Sequence, residues 1–286
     1  MTSLNYTQNF LRLLTVLVVG VLQLTFQPPK NVFAQPVSWN RLAEGLSIGL
    51  WTPSDACPNV APLIVADIDP DRYRFAIHYY RNESFDEPLD IHEWQSKTGH
   101  VLLFNAGLFR ENYSYLGLLY REGQSLGSRR HSTWMGLFVA EPTVSGKPSA
   151  GILDLAQDAF DEGQPPYEEA AQSLMLLDRS GKIRVRQSGK QAQQTIVAEN
   201  TSGHILVFKT TESTTLHDIG RCLRDTYPNV RQAMAMDGGS SSDMSISSTL
   251  RKDLASSTQS SSWVNLLNLG PSGHMPLPAV IGISPR

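Results

Sequence analysis

The stretch QAMAMDGGSSSDMSI, from Gln232 to Ile246, changes character twice. An apolar run ends at Asp237, two glycines and a row of serines follow, and apolar residues return at Met244. Neighbouring glycines let backbone approach a ligand, and successive N–H groups can hold an anion. Asp-Gly is also a strong hairpin-turn signal. The stretch therefore leaves two readings open: a surface turn, or a site built around one carboxylate.

A second stretch has the same form. VLLFNAGLF, from Val101 to Phe109, carries an apolar run into Asn105, Ala106 and Gly107. Asparagine offers a donor and an acceptor, and Gly107 permits close backbone approach. A tight turn at the end of a strand is the alternative. If both stretches belong to one site, we expect Asn105 and Asp237 to meet in one cavity.

Apolar runs rich in β-branched and aromatic residues recur along the chain, mostly separated by turn formers, which predicts many strands. The runs are LIVADID from Leu63, RFAIHYY from Arg74, VLLFNAG from Val101, WMGLFVA from Trp134, SLMLLD from Ser173, HILVFK from His204, QAMAM from Gln232 and AVIGI from Ala279. Helical signals are fewer. We therefore predict an α+β fold of mixed, strand-rich sheets with a few helices, in a single domain.

Three segments carry helical signals. Residues 88–97 have a capping aspartate, Asp90, and stop before Gly99, and residues 215–227 place apolar residues on one stripe before Pro228. GILDLAQDAF, residues 151–160, is the third. The serine-rich residues 247–262 are low in apolar content, which favours a mobile loop.

The N-terminal residues have the form of a targeting segment. Arg12 precedes an apolar run of about a dozen residues, and small residues stand at Val32 and Ala34. This pattern predicts a signal peptide over residues 1–34 and a mature domain over 35–286, in a periplasmic or extracellular protein without a stable membrane span. A retained N-terminal anchor is the alternative.

The charged residues argue against nucleic acid as a partner. The net charge is −3, and the local basic patches Arg129-Arg130-His131 and KIRVRQSGK, residues 182–190, suit a small anion better than a nucleic-acid backbone. Cys57 and Cys222 could pair in an oxidising compartment, but their separation in sequence leaves the bond open.

Read in order, several stretches resemble the phosphodiester glycosidase family. They are NAGLF, YLGLLYREG, AQSLMLLDRSGKIRV, QQTIVAENTSGHILVFK, the helix from Thr215, VRQAMAMDGGSS and MPLPAVIGISPR. The family pattern is roughly Asn-Gly-Gly-Phe-Phe, then Gln-Ser-Gly-Pro, Arg-Thr-Ala-Ile-Gly and Leu-Asp-Gly-Gly-Gly-Ser. It can be followed from about Trp94 to the C-terminus.

The resemblance implies the site residues. Asp237 and Asn105 are the candidate catalytic residues. The candidate substrate-binding residues are Gly107, Gln172, Ser173, Gln193, Thr195, Gly238, Gly239 and Ser241. Leu174 and Met175 replace the family's Gly-Pro, and Gln193 stands where the family arginine is expected. Arg184, Arg186 or the Arg129-Arg130 pair are candidates to supply the missing charge.

The resemblance implies hydrolysis at a sugar C1 attached to phosphate. Asp237 would orient or deprotonate the water or steady the positive C1, while Gly238 and Gly239 N–H groups and the Asn105 side chain hold substrate oxygens. Glu93, Glu111 and Glu141 are candidates for a second carboxylate.

The resemblance also implies a substrate that is a glycan or small molecule carrying a sugar phosphate, and a reaction that requires no cofactor.

Other possibilities remain open. Asp237, Asp243 and Asn105 leave open a calcium or magnesium site. The rival interpretation is a non-catalytic sugar-phosphate or glycan-binding protein on the same scaffold, and a purely structural envelope protein is a third.

Overall fold

The computed structural model describes residues 37–255 and 274–286, which belong to one compact unit. The predicted signal peptide, residues 1–34, lies outside them. Seventeen strands and three α-helices form the described part, and the predicted α+β, strand-rich single-domain fold is confirmed. No helix in this part of the chain is long and apolar enough to span a membrane.

The main sheet has eleven antiparallel strands. Its central path runs β1-β2-β3-β13-β12-β15-β10-β6-β7, and β8 joins β10 to β9. The strands are β1 Ser38–Ala43, β2 Leu46–Trp51, β3 Leu63–Ile68, β6 Leu119–Arg121, β7 Gln124–Ser125, β8 Gly136–Pro142, β9 Ala150–Asp154, β10 Tyr167–Leu177, β12 Thr195–Asn200, β13 Ile205–Thr210 and β15 Val230–Ala235.

A second, four-stranded sheet has the order β16-β5-β17-β4, and β11 and β14 form a separate pair. These strands are β4 Tyr73–Tyr79, β5 Leu102–Asn105, β11 Gln191–Ala192, β14 Thr214–Thr215, β16 Met244–Ile246 and β17 Ala279–Pro285. The helices are α1 Ile91–Thr98, α2 Leu216–Thr226 and α3 Ser248–Ala255.

Both faces of the central part of the main sheet are buried, because two apolar clusters lie on opposite sides of it. Along β3, Ile64 and Ala66 join the cluster shared with the second sheet, while Leu63 and Val65 join the cluster under α2. A strand that is covered on both faces has a continuous run of apolar residues instead of an alternating apolar and polar pattern. All eight predicted runs accordingly contribute to strands.

Two of the predicted helices form with the predicted ends. Asp90 caps α1 by accepting from the N–H groups of His92 and Glu93, and Gly99 closes it in the left-handed conformation at φ 69°. Thr215 caps α2 by accepting from the Asp218 N–H. A disulfide between Cys57 and Cys222 ties α2 to the segment between β2 and β3.

Two sequence expectations are corrected. Residues 151–160 are not a helix: β9 pairs with β8, and Asp154 then accepts from the Ala156 N–H, which fixes a turn. The expected loop over 247–262 contains α3 at Ser248–Ala255, whose Leu254 is buried against the core. Residues 256–262 of that loop lie outside the described residues.

Candidate active site

The ends of β5 and β15 meet, as the two glycine-containing stretches predicted. The Asn105 Nδ2 donates to the Asp237 carbonyl at 2.8 Å, and the Asp237 N–H donates to the Ala106 carbonyl at 3.1 Å. The Asn105 Oδ1 also accepts from the Asp243 N–H at 3.0 Å. The Asn105 amide therefore binds both ends of the segment from Asp237 to Asp243 and holds it against the second sheet.

This geometry changes the role expected of Asn105. Its side chain is 1% exposed, and its amide nitrogen and oxygen both bond to backbone. An amide used in this way positions the neighbouring loop and does not contact a substrate. The predicted direct contact with substrate oxygens is corrected to a positioning role.

The Asp237 carboxylate lies on a cavity of about 570 Å³. Burial raises the pKa of Asp237 to about 6, against smaller opposing effects from the Ser241 hydroxyl, the Gly238 N–H and the charge of Lys190. The Gly238 N–H donates to the Asp237 Oδ1 at 3.0 Å. Raised carboxyl pKa values in clefts are typical of functional sites.

The two glycines after Asp237 are needed for different reasons. A Cβ on Gly238 would lie 2.8 Å from the Gln193 carbonyl oxygen, a backbone atom, so glycine is needed there. Gly239 has φ +68°, a left-handed conformation that favours glycine. The Gly239 N–H donates to the Gln193 carbonyl at 2.8 Å. Because both N–H groups are engaged, the prediction that they hold phosphate is corrected: they shape the loop.

Gly107 is required by close packing with protein atoms. A Cβ there would lie 2.3 Å from the Tyr115 hydroxyl and 2.6 Å from the Gln172 carbonyl. The Gly107 N–H donates to that hydroxyl at 3.0 Å, and the hydroxyl donates to the Gln172 carbonyl at 2.9 Å. The predicted close approach of backbone is present, but its partner is a buried tyrosine.

Gln172 and Ser173 are structural. The Gln172 side chain is fully buried; its oxygen accepts from the N–H groups of Leu118 and His131, and its nitrogen donates to the carbonyls of His131 and Trp134. The Ser173 hydroxyl donates to the Ala235 carbonyl at 2.6 Å. Both were predicted to bind substrate; instead they join strands and loops beneath the cavity.

Two neighbouring glutamines, Gln193 and Gln194, stand near the position predicted for the family arginine. Gln194 lines the cavity and directly precedes Thr195, as arginine precedes threonine in the family pattern. Gln193, the predicted equivalent, is not among the described residues that line the cavity, and its backbone accepts from Gly239. Gln194 is thus the glutamine of this pair that lines the cavity.

The two hydroxyl candidates differ. Thr195 is fully buried, and its Oγ1 lies 2.9 Å from the Ser242 Oγ, so it braces the loop instead of binding substrate as predicted. Ser241 hydrogen-bonds to the Asp237 carboxylate. Of the predicted binding residues, Ser241 is thus the one whose side chain acts on the carboxylate.

Basic residues line the same cavity. They come from the predicted anion patch, residues 182–190, and are Arg184, Arg186 and Lys190. Arg184 is paired with Asp154 at 2.8 Å and Asp178 at 3.2 Å. Within residues 37–255 and 274–286, no carboxylate lies within 4.0 Å of the charged nitrogens of Arg186 or Lys190, so neither charge is neutralised by an ion pair there. The alternative Arg130 pairs with Glu162 and lies elsewhere.

One aromatic ring in the cavity wall, Trp134, appeared in the sequence only as the first residue of a predicted strand. Trp134 lines the cavity and stacks on His131, with ring centroids 3.8 Å apart and planes at 16°. Trp134 is partly exposed, and the apolar surface of such a ring can pack against a sugar ring. Nothing in the local sequence separates such a tryptophan from a core one.

Asp243, six residues beyond Asp237, has a different environment. Its Oδ1 accepts from the Lys209 Nζ at 3.1 Å and its Oδ2 lies 2.6 Å from the His274 Nδ1. Both Asp243 and Lys209 are buried. The Asp243 oxygens are thus engaged by protein groups, while the calcium or magnesium site at Asp237, Asp243 and Asn105 stays a prediction. Across the described chain, no three His, Cys, Asp or Glu side chains are grouped to hold a metal.

None of the three candidate second carboxylates lines the cavity among the described residues. Glu93 closes the capping box of α1, Glu141 pairs with Arg286, and Glu111 is exposed. The cavity thus offers one carboxylate, Asp237, together with the cationic and aromatic groups.

Comparison with known proteins agrees with this fold. The crystal structure of a hypothetical protein from Synechocystis aligns with a TM-score of 0.62 at 11% identity, over 88% of this chain and 64% of that chain. The present chain therefore spans less than two thirds of that protein's length. The zebrafish N-acetylglucosamine-1-phosphodiester alpha-N-acetylglucosaminidase catalytic domain, auto-inhibited by its pro-peptide, aligns with a TM-score of 0.53 at 15% identity, over 88% and 85% of the two chains.

These structural likenesses show the fold alone, and no curated protein sequence matches the chain. A sequence profile described as phosphodiester glycosidase (NAGPA) matches residues 98–282, which is more than half of the chain and includes both Asn105 and Asp237. The chain belongs to the phosphodiester glycosidase family.

Proposed function

We propose that this protein is an exported hydrolase that cleaves the glycosidic bond of a sugar-1-phosphodiester. The observation that carries the proposal is the cavity at the end of β15. It combines Asp237, whose pKa is raised to about 6, with Arg186 and Lys190 as charges for a phosphate and with Trp134 as a platform for a sugar ring. This combination suits a substrate that is a sugar at one end and an anion at the other.

The proposed step breaks the bond between the sugar C1 and the phosphate oxygen. The electron pair of that bond leaves with the phosphate, and a water oxygen forms the new bond to C1. Asp237 accepts the proton that the water loses, and the products are a free sugar and a phosphate monoester. Phosphate is a good leaving group, so the step makes little demand on a second carboxylate acting as general acid.

The other residues support that step. Arg186 and Lys190 balance the phosphate charge that Gln193, which stands at the predicted position of the family arginine and carries no charge, does not balance. Asn105 and Ser241 hold Asp237 in place through its carbonyl and its carboxylate. The proposed reaction uses no cofactor, and metal analysis of protein purified without added ions checks that statement.

The proposed location is outside the cytoplasm. The Cys57–Cys222 disulfide is typical of proteins from oxidising compartments, and the N-terminal sequence predicts a signal peptide. Envelope or extracellular polysaccharide that contains sugar-1-phosphodiester links is the proposed substrate class.

The test follows which bond breaks. A sugar-1-phosphate methyl ester is incubated with the protein in ¹⁸O-labelled water, and the products are separated. We expect the label in the sugar hydroxyl and methyl phosphate without it; label in the phosphate would mean that the protein is a phosphodiesterase. The matching methyl glycoside without phosphate is the control and should not be cleaved.

The rival function is distinguished in the same experiment. A non-catalytic sugar-phosphate binder, which the uncharged Gln193 and the replacement of Gly-Pro by Leu174 and Met175 favour, would bind the ester saturably and release no product. That result would overturn the enzymatic proposal.

A further inference from the structure

A second cavity of about 510 Å³ lies next to the segment that follows β16. It is bounded by α1, by His100 and by residues 246–251, and it shares no lining residue with the Asp237 cavity. Its volume is in the range of small-molecule sites, roughly 300–1,000 Å³.

Two polar atoms on the lining side chains are buried without a hydrogen-bond partner in the described part of the chain: the Gln95 Oε1 and the Arg251 Nε. Both side chains are fixed by another nitrogen, because the Gln95 Nε2 donates to the His100 carbonyl and the Arg251 Nη2 donates to the Ile246 carbonyl at 3.2 Å. An unsatisfied buried donor or acceptor costs about 1–3 kcal/mol. One acceptor and one donor are thus left for a ligand at the same cavity.

The charge of the cavity comes from Arg251. The two lining histidines face other histidines: the Nε2 atoms of His92 and His274 are 2.9 Å apart, and those of His100 and His78 are 2.7 Å apart. In each pair one ring nitrogen must accept the hydrogen bond, so at least one of the two histidine rings is neutral. Burial lowers the pKa of His92, and lowers that of His100 to about 4.

The remaining polar groups of the cavity are hydroxyls. Ser96, Ser247 and Ser248 line it, and no aspartate or glutamate is among its described lining residues. A cationic cavity with hydroxyl groups and one vacant acceptor suits an anion that also carries hydroxyls. It does not suit a cation or an apolar molecule.

We propose that this second cavity binds a monosaccharide-sized molecule with one anionic group, carboxylate or phosphate, which accepts from Arg251 while a ligand hydroxyl donates to Gln95. The proposal stands apart from the reaction at Asp237 and does not require it.

The test measures binding of four probes by calorimetry: D-glucuronate, D-glucose 6-phosphate, D-glucose and inorganic phosphate. We expect one anionic sugar to bind at least about tenfold more tightly than glucose and phosphate, since these supply only part of the interaction. Which of the two binds identifies the anion as a carboxylate or a phosphate. The proposal is overturned if glucose or phosphate alone binds as tightly as the anionic sugars, or if neither anionic sugar binds.

Variants locate the binding. Arg251→Gln and Gln95→Leu should each weaken it by about tenfold, while Lys252→Gln, an exposed cation next to Arg251, should leave it unchanged. Lys190→Gln reports on the other cavity and should also leave it unchanged. If Arg251→Gln melts at a lower temperature than the parent, Gln95→Leu decides. Binding that survives Gln95→Leu, or that is lost in Lys190→Gln, contradicts the assignment.

Discussion

Asp237 and Asp243 stand at the two ends of one loop and have opposite surroundings. Asp237 faces a cavity, has hydrogen bonds from Ser241 and Gly238 and a raised pKa, and forms no ion pair within 4.0 Å among the described residues. Asp243 is 3% exposed and is held by Lys209 and His274. Asn105 binds the backbone of both.

The difference separates a carboxylate available for chemistry from one that stabilises the fold. Burial without a paired cation favours the protonated form and leaves the group able to exchange a proton near neutral pH. Burial with a lysine satisfies the charge and makes the pair a fixed part of the core. If this distinction holds, substitution of Asp237 should change turnover, and substitution of Asp243 should change stability.

The largest expected effect is on turnover in Asp237→Asn. Removing the proton acceptor should lower kcat about 10²- to 10⁴-fold, with no loss of thermal stability because no ion pair is broken. Initial rates on the sugar-1-phosphate methyl ester measure it. Asp225→Asn on α2, which removes an exposed aspartate paired with Arg224, is the control and should retain full activity. Activity within about threefold of the parent would remove Asp237 from the mechanism.

The second effect is on stability in Asp243→Asn. The substitution leaves Lys209 buried without its countercharge, which should lower the free energy of unfolding by about 3–5 kcal/mol in urea titrations. The same substitution at the exposed Asp225 should cost less than about 1 kcal/mol. The double variant Lys209→Met/Asp243→Leu, which removes both charges, should recover much of the loss. A cost at Asp243 equal to that at Asp225 would contradict the distinction.

The third effect is on the pH dependence of kcat/KM. Since Asp237 must be ionised and its pKa is raised to about 6, kcat/KM should rise about tenfold between about pH 5 and 7. The contribution of Asp237 to the stability of the fold changes with pH in the opposite direction. A raised carboxyl pKa stabilises the fold below the unfolded value of 3.8, and that contribution is lost as pH rises through about 6.

Glu169 also contributes to the pH dependence of stability, because burial raises its pKa to about 7. The difference between the parent and Asp237→Asn isolates the Asp237 contribution. A flat rate profile from pH 5 to 7 would show that ionisation of Asp237 does not control the reaction.

The smallest effect is expected for Lys190→Gln. Lys190 is exposed, so the loss of its charge should raise KM about two- to fivefold and move the midpoint of the pH profile upward. Steady-state kinetics at two pH values measure both changes. Lys97→Gln in the last turn of α1 is the matched control. Equal changes in the two variants would indicate a general charge effect.

Much of the secondary structure could be predicted because its causes are local. The apolar runs of the buried strands, the Asp90 cap and Gly99 are each visible in a few consecutive residues. The helix expected at residues 151–160 failed for a tertiary reason: pairing of β9 with β8 outweighs the weak helical pattern. The helix at 248–255 was missed because it is short, has only two leucines, Leu250 and Leu254, and precedes a serine-rich stretch.

The site was predicted less completely than the fold. The sequence identified Asp237 as the central carboxylate and the 182–190 patch as an anion-binding candidate, and Asp237 and three basic residues of the patch do line one cavity. It did not separate residues that face the cavity from residues that hold it. Gln172, Ser173 and Thr195 have the polar chemistry of binding residues but lie in the core.

The sequence by itself determined the strand-rich architecture, the family and the meeting of two glycine-containing strand ends. These features depend on apolar patterning and close backbone packing, which can be recognised from the types of a few consecutive residues. Only the tertiary structure decided which polar atoms remain free. Hydrogen bonds between distant segments, such as those of Asn105 and of Lys209 with Asp243, consume donors and acceptors that look equivalent in sequence. Whether a polar group binds a ligand therefore depends on what the folded chain has already bonded to it.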